Sequence, residues 1–287
     1  MFDTLISAPQ LAQRLGEASL AVLDCRFDLT RPQWGEQAYA EAHIPGALYA
    51  HLERDLSGTP SSATGRHPLP SPASLAESFG RWGIGAHTQV VAYDQGPGAY
   101  AARLWWLLRW MGHERAAVLD GGLAAWEARA LPLERGGPAA ATTPCRFYGQ
   151  PDPRMLARTE EIEQAVASGR LERREILLID ARGADRFAGE NETLDPIAGH
   201  IPGAVNLPFA ANLEGGSFLP PAMLRRRFLQ ALAGRAPESA ICMCGSGVTA
   251  CHNLLALSVA GLSGARLYAG SWSEWIRDPR RPVTRGA

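Results

Sequence analysis

His43-Ile-Pro-Gly-Ala47 occurs twice in this chain, the second time as His200-Ile-Pro-Gly-Ala204. Two further similarities flank these pentapeptides in the same order: residues 22–26 with 178–182, and residues 120–126 with 269–275. Three matched landmarks in one order predict a tandem duplication. The repeated stretch is far longer than one turn of a solenoid, so each copy is expected to be a whole domain.

The duplication predicts two domains of ordinary size in the 287 residues. We expect an N-terminal domain over residues 1–135, a linker over 136–152 and a C-terminal domain over 153–287. The linker stretch is rich in Gly, Pro and Ala, which is typical of a surface connection. The His-Ile-Pro-Gly-Ala motif and the stretch that begins at residue 120 lie further apart than their counterparts in the second copy, so the first copy contains additional residues between them. We expect these additional residues in the polar stretch 56–72.

Each half alternates short apolar strands with helices, which predicts a parallel sheet covered on both faces. In the second half the pattern predicts strands at 176–179, 239–243 and 266–268 and helices at 221–232 and 250–260. The first half has the matching pattern at 21–23, 90–93, 102–111 and 116–119. The predicted fold class is therefore α/β, built twice.

The charge pattern excludes several function classes. The formal net charge is −1, and all 28 basic residues are Arg. A chain without Lys cannot form a Schiff base, anchor pyridoxal phosphate or build a phosphate-binding P-loop. Nucleic-acid and membrane-surface proteins need a basic excess, so we expect neither partner. The start of the chain lacks a signal-like segment and no apolar run reaches 18 residues, so we expect a cytoplasmic protein with reduced cysteines.

Cys244-Gly-Ser-Gly-Val-Thr-Ala-Cys251 lies between a predicted strand and a predicted helix of the second half. Gly245 and Gly247 allow successive backbone N–H groups to point inward, and the helix directs its positive end at the same place. Such a loop stabilises an anionic sulfur, so Cys244 is the predicted nucleophile. We expect Gly245, Gly247, Val248 and Thr249 to bind the anionic substrate, and Thr249 also to cap the helix. Aligning the two halves places Asp94 opposite Cys244, so the first half lacks a nucleophile.

The duplication, the paired His-Ile-Pro-Gly-Ala motifs and the Cys244 loop resemble those of two-domain rhodanese-like sulfurtransferases. The resemblance covers nearly the whole chain and implies two tandem rhodanese-like domains, each a parallel sheet flanked by helices. It implies that Cys244 takes a sulfur atom from a small anionic donor as a persulfide. It further implies transfer to cyanide or to a thiol, for instance on a thioredoxin-like protein, without a cofactor.

The loop is most similar to that of 3-mercaptopyruvate sulfurtransferases, which makes 3-mercaptopyruvate the favoured donor. Thiosulfate-preferring rhodaneses usually carry basic residues just after the Cys, where this chain has Gly245 and Ser246. The resemblance implies that Arg186 holds the donor carboxylate; the alternative is a surface Arg paired with Asp185 or Glu190. Family members often supply a second Arg a few residues later, and residues 189–195 contain none.

Some relatives set a Ser in a Ser-His-acid relay contributed partly by the first half of the chain. The matching positions here are Ser246, His67 and Glu53, with Asp55 as a nearby substitute for Glu53. A His oriented by a carboxylate is a suitable acid–base group. The alternative for His67 is a solvated loop residue.

Several other readings stay open at this point. One alternative is a thiosulfate:cyanide sulfurtransferase with the same fold. Another is a rhodanese-like binding module that has no catalytic activity. A Cys-dependent phosphatase needs an Arg where this chain has Ala250. The spacing of the ligand-type residues does not favour a metal site, so none is expected; these residues are Cys242, Cys244, Cys251 and His252. We expect Cys242 and Cys251 in the core and His43 and His200 in matching structural roles; the oligomeric state is left open.

Overall fold

The computed structural model describes residues 1–137 and 143–286. The chain divides into two compact units. Unit 1 comprises Met1–Gly58, Leu69–Asp152 and Gly215–Phe218; unit 2 comprises Thr59–Pro68, Pro153–Glu214 and Leu219–Ala287. Each unit therefore includes one short segment from the other half of the sequence. Of the expected linker, residues 138–142 lie outside the described part of the chain.

The strands of the described chain are short. In order they are β1 (Leu5–Ile6), β2 (Leu20–Asp24), β3 (Leu48–Tyr49), β4 (Gln89–Tyr93), β5 (Ala116–Leu119), β6 (Leu156–Ala157), β7 (Leu177–Asp180), β8 (Val205–Asn206), β9 (Leu213–Glu214), β10 (Ser217–Phe218), β11 (Ala240–Met243) and β12 (Arg266–Tyr268).

The helices of the described chain lie between these strands or after the last of them, except that no α-helix separates β8, β9 and β10. They are α1 (Ala8–Ala12), α2 (Trp34–Glu41), α3 (Pro72–Arg81), α4 (Ala101–Trp110), α5 (Gly122–Glu127), α6 (Thr159–Ala167), α7 (Ala184–Ala188), α8 (Pro221–Leu232), α9 (Thr249–Val259) and α10 (Ser271–Trp275). Short 3-10 turns occur at Pro153–Met155, Phe209–Asn212 and Pro237–Ser239.

Both units contain a five-stranded parallel sheet with the same strand order. Unit 1 has the order β1-β5-β4-β2-β3, and unit 2 has the order β6-β12-β11-β7-β8. The predicted α/β duplication is therefore confirmed at the level of topology. In both sheets the carboxyl ends of the parallel strands meet at one edge, where folds of this type bind ligands.

Burial explains why the central elements of unit 2 form where they do. β11 and β7 are buried along their whole length, as parallel strands covered on both faces must be.

α8 has the predicted bounds and begins at Pro221, a residue favoured in the first turn of a helix. α9 begins one residue before its predicted start, and Gly261 follows its end with a φ of 67°.

The repeated histidines are structural in both units, as predicted. His43 Nδ1 lies 2.8 Å from the Tyr39 carbonyl oxygen, and the two rings stack. His200 Nδ1 lies 2.9 Å from the Phe187 carbonyl oxygen, and the His200 ring stacks on the Phe187 ring. Among the described residues, no helix is long and apolar enough to cross a membrane.

Candidate active site

Cys244 directly follows β11, which lies between β12 and β7 in the sheet of unit 2. Its side chain is buried. The Cys244 N–H donates to Ser271 Oγ at 3.1 Å, and its carbonyl oxygen accepts from the Trp272 N–H at 3.0 Å. The Gly245 carbonyl oxygen accepts from the Ser273 N–H at 2.8 Å. The start of α10 therefore fixes the backbone around the sulfur.

Ser271 is a site residue that sequence reasoning missed. It is fully buried and has a φ of 54°, a left-handed conformation that side-chain-bearing residues rarely adopt. Its hydroxyl also donates to the Tyr268 carbonyl oxygen at 2.9 Å. Such strain persists only where the surroundings hold it, often at functional sites. The alignment of the two halves places Gly122 of unit 1 at the position of Ser271. Gly122 has a φ of 56°, so a glycine at the aligned position indicates that this place in the fold requires a left-handed conformation.

The structure brings Ser246 and His67 together within unit 2. Ser246 Oγ lies 2.8 Å from His67 Nδ1, and the two residues are only 5% and 1% exposed. The alternative of a solvated His67 is therefore wrong. The segment Thr59–Pro68, which belongs to unit 2, delivers this imidazole to the Cys244 loop.

The acidic member expected for the relay lies in unit 1. The Glu53 side chain is exposed, and its backbone N–H donates to His51 Nδ1 at 3.1 Å. Asp55 is buried and accepts from the His51 N–H at 2.9 Å and from Arg81 Nη2 at 3.2 Å. Participation of Glu53 in a relay stays a prediction.

Arg186 lies in α7 and is held by two acidic side chains. Its Nε and Nη2 donate to both carboxylate oxygens of Glu192 at 2.8–3.1 Å, and Nη2 also reaches Asp195 Oδ2 at 3.1 Å. The alternative partners named from sequence, Asp185 and Glu190, are therefore wrong. Burial would raise the pKa of Glu192, but its hydrogen bonds, above all those from Arg186, outweigh burial and hold the pKa below its ordinary value.

The guanidinium of Arg186 faces the Cys244 loop. A Cβ built on Gly245 would lie 3.6 Å from Arg186 Nη2 and 3.7 Å from Arg186 Nη1. Glycine at this position therefore leaves a gap about the size of a methyl group between the loop backbone and the cation.

A second arginine reaches the same gap, and sequence reasoning missed it. Arg66 Nη1 donates to Asp195 Oδ1 at 2.6 Å, and Arg66 Nη2 lies 3.3 Å from the Cβ position on Gly245. The Arg66 N–H also donates to Ser273 Oγ at 3.0 Å. Residues 189–195 contain no second Arg. Asp195 in that stretch instead forms an ion pair with Arg66, which lies much earlier in the sequence. The neighbouring His67 was the only local signal.

The other predicted binding residues shape the loop. Gly247 has a φ of 76°, and a Cβ there would overlap the Ala269 carbonyl oxygen. Val248 occupies the N-cap position of α9, and Thr249 is its first residue. The expected cap by Thr249 is therefore wrong, because the helix begins one residue too early for its hydroxyl to accept from the first turn. A substrate contact by Val248 or Thr249 stays a prediction.

The equivalent loop in unit 1 already holds an anionic group. Asp94 follows β4 as Cys244 follows β11, and its carboxylate accepts from the N–H groups of Gly96, Gly98, Tyr100 and Ala101 at 2.9–3.3 Å. Complete burial raises the pKa of Asp94, although these four N–H groups oppose the shift. The loop geometry of this fold is thus suited to hold an anion with backbone amides alone.

The neighbouring cysteines belong to the core, as predicted. Cys242 and Cys251 are fully buried, and burial raises the pKa of Cys242 well above its usual range, with Cys251 and Cys244 adding to the shift. In the described part of the chain, no group of three or more His, Cys, Asp or Glu side chains is arranged to hold a metal ion.

Comparison with known proteins identifies the family. The model of the rhodanese-like domain matches residues 7–129 and 163–278. A probable 3-mercaptopyruvate sulfurtransferase of Pseudomonas aeruginosa is 53% identical over 98% of both chains. A putative thiosulfate sulfurtransferase of Mycobacterium tuberculosis is 38% identical over 99% of this chain and 98% of its own. The crystal structure of SseA from Escherichia coli, described as a 3-mercaptopyruvate sulfotransferase with the rhodanese fold, superposes with a TM-score of 0.80 at 31% identity, covering 95% of this chain and all of its own. The chain belongs to the rhodanese family, as two rhodanese-like domains in tandem.

Proposed function

We propose that this protein is a sulfurtransferase that takes a sulfur atom from 3-mercaptopyruvate onto Cys244 and passes it to a thiol or to cyanide. One observation carries the proposal. Cys244 lies at the loop edge of the unit 2 sheet, and the guanidinium groups of Arg66 and Arg186 lie 3.3–3.7 Å from the Cβ position on the next residue, Gly245. The full-length relatives named as sulfurtransferases support the same reaction class.

The donor half-reaction is a nucleophilic displacement on sulfur. The Cys244 thiolate attacks the donor's sulfur, so an S–S bond forms and the donor's C–S bond breaks. The electron pair of the broken bond passes to the donor's carbonyl group as an enolate. The donor's thiol proton ends on carbon, which completes pyruvate and leaves a persulfide on Cys244. Cationic and amide groups around the gap stabilise the charge that develops on the enolate.

Ser246 and His67 are placed to move that proton. Their 2.8 Å hydrogen bond lies in a buried environment next to Cys244, where water does not compete for it. We assign Ser246 the contact with the donor and His67 the role of the group that accepts and returns the proton. Positioned acid–base groups of this kind contribute about 10²- to 10⁴-fold in rate.

The acceptor half-reaction restores the enzyme. A thiolate acceptor attacks the outer sulfur of the Cys244 persulfide, the S–S bond breaks, and the Cys244 thiolate returns as leaving group. Cyanide would give thiocyanate by the same displacement. The reaction is then ping-pong, because the donor product leaves before the acceptor reacts.

The charge balance near the gap favours 3-mercaptopyruvate over thiosulfate. Arg66 and Arg186 face two carboxylates, those of Asp195 and Glu192, so the four side chains carry no net charge. A monoanionic carboxylate gains hydrogen bonds from the two cations, whereas the second charge of thiosulfate finds no further partner among them. Thiosulfate is the second candidate donor.

The test is a comparison of donors on purified protein with a thiol acceptor in excess. Pyruvate release from 3-mercaptopyruvate is followed in a coupled assay, and sulfite release from thiosulfate is followed in parallel. We expect a higher kcat/KM for 3-mercaptopyruvate, and loss of both activities in Cys244→Ser with Cys242→Ser as the matched control. Absence of pyruvate release by the wild-type protein would reject the proposal.

A further inference from the structure

We propose that a basic groove of unit 2, lined by Arg174, Arg227 and Arg235, binds the phosphate group of a small phosphate monoester. The groove has a volume of about 540 Å³ and is lined by residues of β8, the edge strand of the sheet, and by the C-terminal part of α8. Its lining residues all belong to unit 2. The inference goes beyond the proposed function and does not rest on it, because it concerns binding and not sulfur transfer.

The charged side chains of the basic groove are all cations. No Asp or Glu is among its described lining residues. Within the described parts of the chain, Arg174, Arg227 and Arg235 form no ion pair, whereas the neighbouring Arg173 pairs with Glu175 at 2.8 Å. Three guanidinium groups without a counter-charge in one cavity suit an anion with several acceptor oxygens, as a phosphate group has.

Arg227 is the most informative of the three cations because it is half-buried. Its Nη2 donates to the Pro208 carbonyl oxygen at 3.2 Å, and its buried Nε has no hydrogen-bond partner among the described residues. Burial lowers the pKa of Arg227, and no carboxylate opposes this shift. Burial would also lower the pKa of Arg182, but there the carboxylate of Asp180 outweighs it and the pKa is raised. A desolvated cation without a counter-ion is unfavourable, and a bound anion would offset that penalty.

The fold itself does not require an arginine at the position of Arg227. In unit 1 the helix equivalent to α8 is α3, which also connects the edge strand of its sheet to a central strand. Both helices begin with Pro and bury a Phe at the same position, Phe79 in α3 and Phe228 in α8. The residue before this Phe is Ser78 in unit 1 and Arg227 in unit 2. The guanidinium is therefore not needed to pack this helix on its sheet.

The backbone beside the basic groove adopts a rare conformation at two points. Arg174 has a φ of 59° and Ala233 a φ of 48°, a left-handed region that residues with a side chain seldom occupy. Four non-glycine residues of the described chain have a positive φ; two of them line this groove, and a third is Ser271 beside Cys244. Such strain is concentrated at ligand and active sites.

The remaining lining residues indicate what the phosphate is attached to. Val205, Leu207 and Ala231 place apolar groups beside the cations. The volume lies in the range of sites for small organic molecules and is larger than a bare phosphate ion needs. A phosphate ester has both the dianionic group for the arginines and an organic part for the apolar surface.

The experiment measures the binding of three probes to the purified full chain by isothermal titration calorimetry: adenosine 5′-monophosphate (AMP), inorganic phosphate and adenosine. The variants are Arg227→Gln, Arg174→Gln and the control Arg226→Gln. Arg226 is exposed on the same helix and is not among the groove's described lining residues, so its replacement removes an equal charge outside the groove. Arg186→Ala reports whether a probe binds beside Cys244 instead. Thermal unfolding verifies that each variant is folded.

We expect AMP to bind one-to-one with a Kd below about 1 mM, more tightly than inorganic phosphate, and adenosine not to bind. Arg227→Gln should weaken AMP binding about 10- to 100-fold, the loss typical of a hydrogen bond to a charged group. Arg174→Gln should weaken it at least about threefold, and because Arg174 is exposed this variant tests the site without disturbing the core. Arg226→Gln and Arg186→Ala should change the Kd by less than about twofold.

Four outcomes overturn the inference. Absence of AMP binding would reject the site, and so would an unchanged Kd in both Arg227→Gln and Arg174→Gln. Loss of binding in Arg186→Ala alone would place the probe beside Cys244. Equal affinity for AMP and inorganic phosphate would reject the ester and leave the free ion as the ligand. None of these measurements uses 3-mercaptopyruvate, so failure of the proposed function would appear separately, as no pyruvate release by the wild-type protein.

Discussion

Replacing Ser246 with Ala should separate the proton-transfer role of this residue from its structural role. The substitution removes the hydroxyl that lies 2.8 Å from His67 Nδ1. Both residues are buried, so water does not readily replace the bond, and the free energy of unfolding should fall by about 1–3 kcal/mol. That loss lowers the Tm by only a few degrees for each kcal/mol, and the protein should remain folded at assay temperature.

The catalytic loss should depend on the donor. With 3-mercaptopyruvate a proton must reach the leaving carbon, so pyruvate release should slow by about 10²- to 10⁴-fold. With thiosulfate the leaving sulfite needs no proton on carbon, and persulfide formation should be retained. Stopped-flow measurement of pyruvate release and of persulfide formation reports the two steps separately.

The matched control for this experiment is Ser78→Ala. Ser78 is as buried as Ser246 and lies in α3 of unit 1, far in sequence from the Cys244 loop. It should lose a similar amount of stability with both activities unchanged. Equal loss of persulfide formation from both donors in Ser246→Ala would refute the relay and make Ser246 a support of the loop.

Three further substitutions probe the site. Arg186→Ala should raise the KM for 3-mercaptopyruvate about 10- to 100-fold. The KM for mercaptoacetone, a donor without the carboxylate, should stay unchanged, and steady-state kinetics with the two donors measure both values. Glu192 has a folded-state pKa below its ordinary value, so it stabilises the protein above the unfolded pKa of about 4.3 and loses that contribution as pH falls through the lower folded value. The stability difference between wild type and Glu192→Gln, from chemical denaturation, should therefore vanish in acid; a constant difference would contradict this. Gly247→Ala should destabilise unit 2 more than Gly234→Ala, because both have positive φ but only the first would place its Cβ against a carbonyl oxygen.

The repeat and the periodicity predicted much of the fold because both depend on local pattern. Strands such as Ala240–Met243 are continuous apolar runs next to turn residues, and α8 shows helical spacing of its apolar residues. The two-residue strands at the sheet edges, such as Val205–Asn206, leave no such pattern, because two residues cannot show a period. Their pairing depends on the neighbouring strand and not on their own sequence.

The site was predictable only where one short segment carries it. The Cys244 loop combines the proposed nucleophile, the glycines and the following helix in consecutive residues. The second arginine was not predictable, because Arg66 and Asp195 are 129 residues apart and meet only in the folded unit. No composition or spacing rule distinguishes Arg66 from the other 27 basic residues.

The equivalent loops of the two units carry different chemical groups at the same position. In unit 1 a carboxylate from the chain itself, that of Asp94, accepts the inward-pointing N–H groups. In unit 2 the equivalent position is the thiol of Cys244, and the guanidinium groups of Arg66 and Arg186 lie 3.3–3.7 Å from the Cβ position on the next residue, Gly245. The same place in the fold therefore carries a built-in anion in one unit and the proposed nucleophile in the other.

The most direct test of the central claim is to locate the transferred sulfur. The protein is incubated with 3-mercaptopyruvate without an acceptor, digested without reduction and mapped by mass spectrometry. We predict the mass of one added sulfur atom on the peptide containing Cys244, its removal by cyanide with release of thiocyanate, and no such adduct in Cys244→Ser. An unmodified Cys244 after pyruvate release, or the added sulfur on Cys145 or another cysteine, would contradict the account.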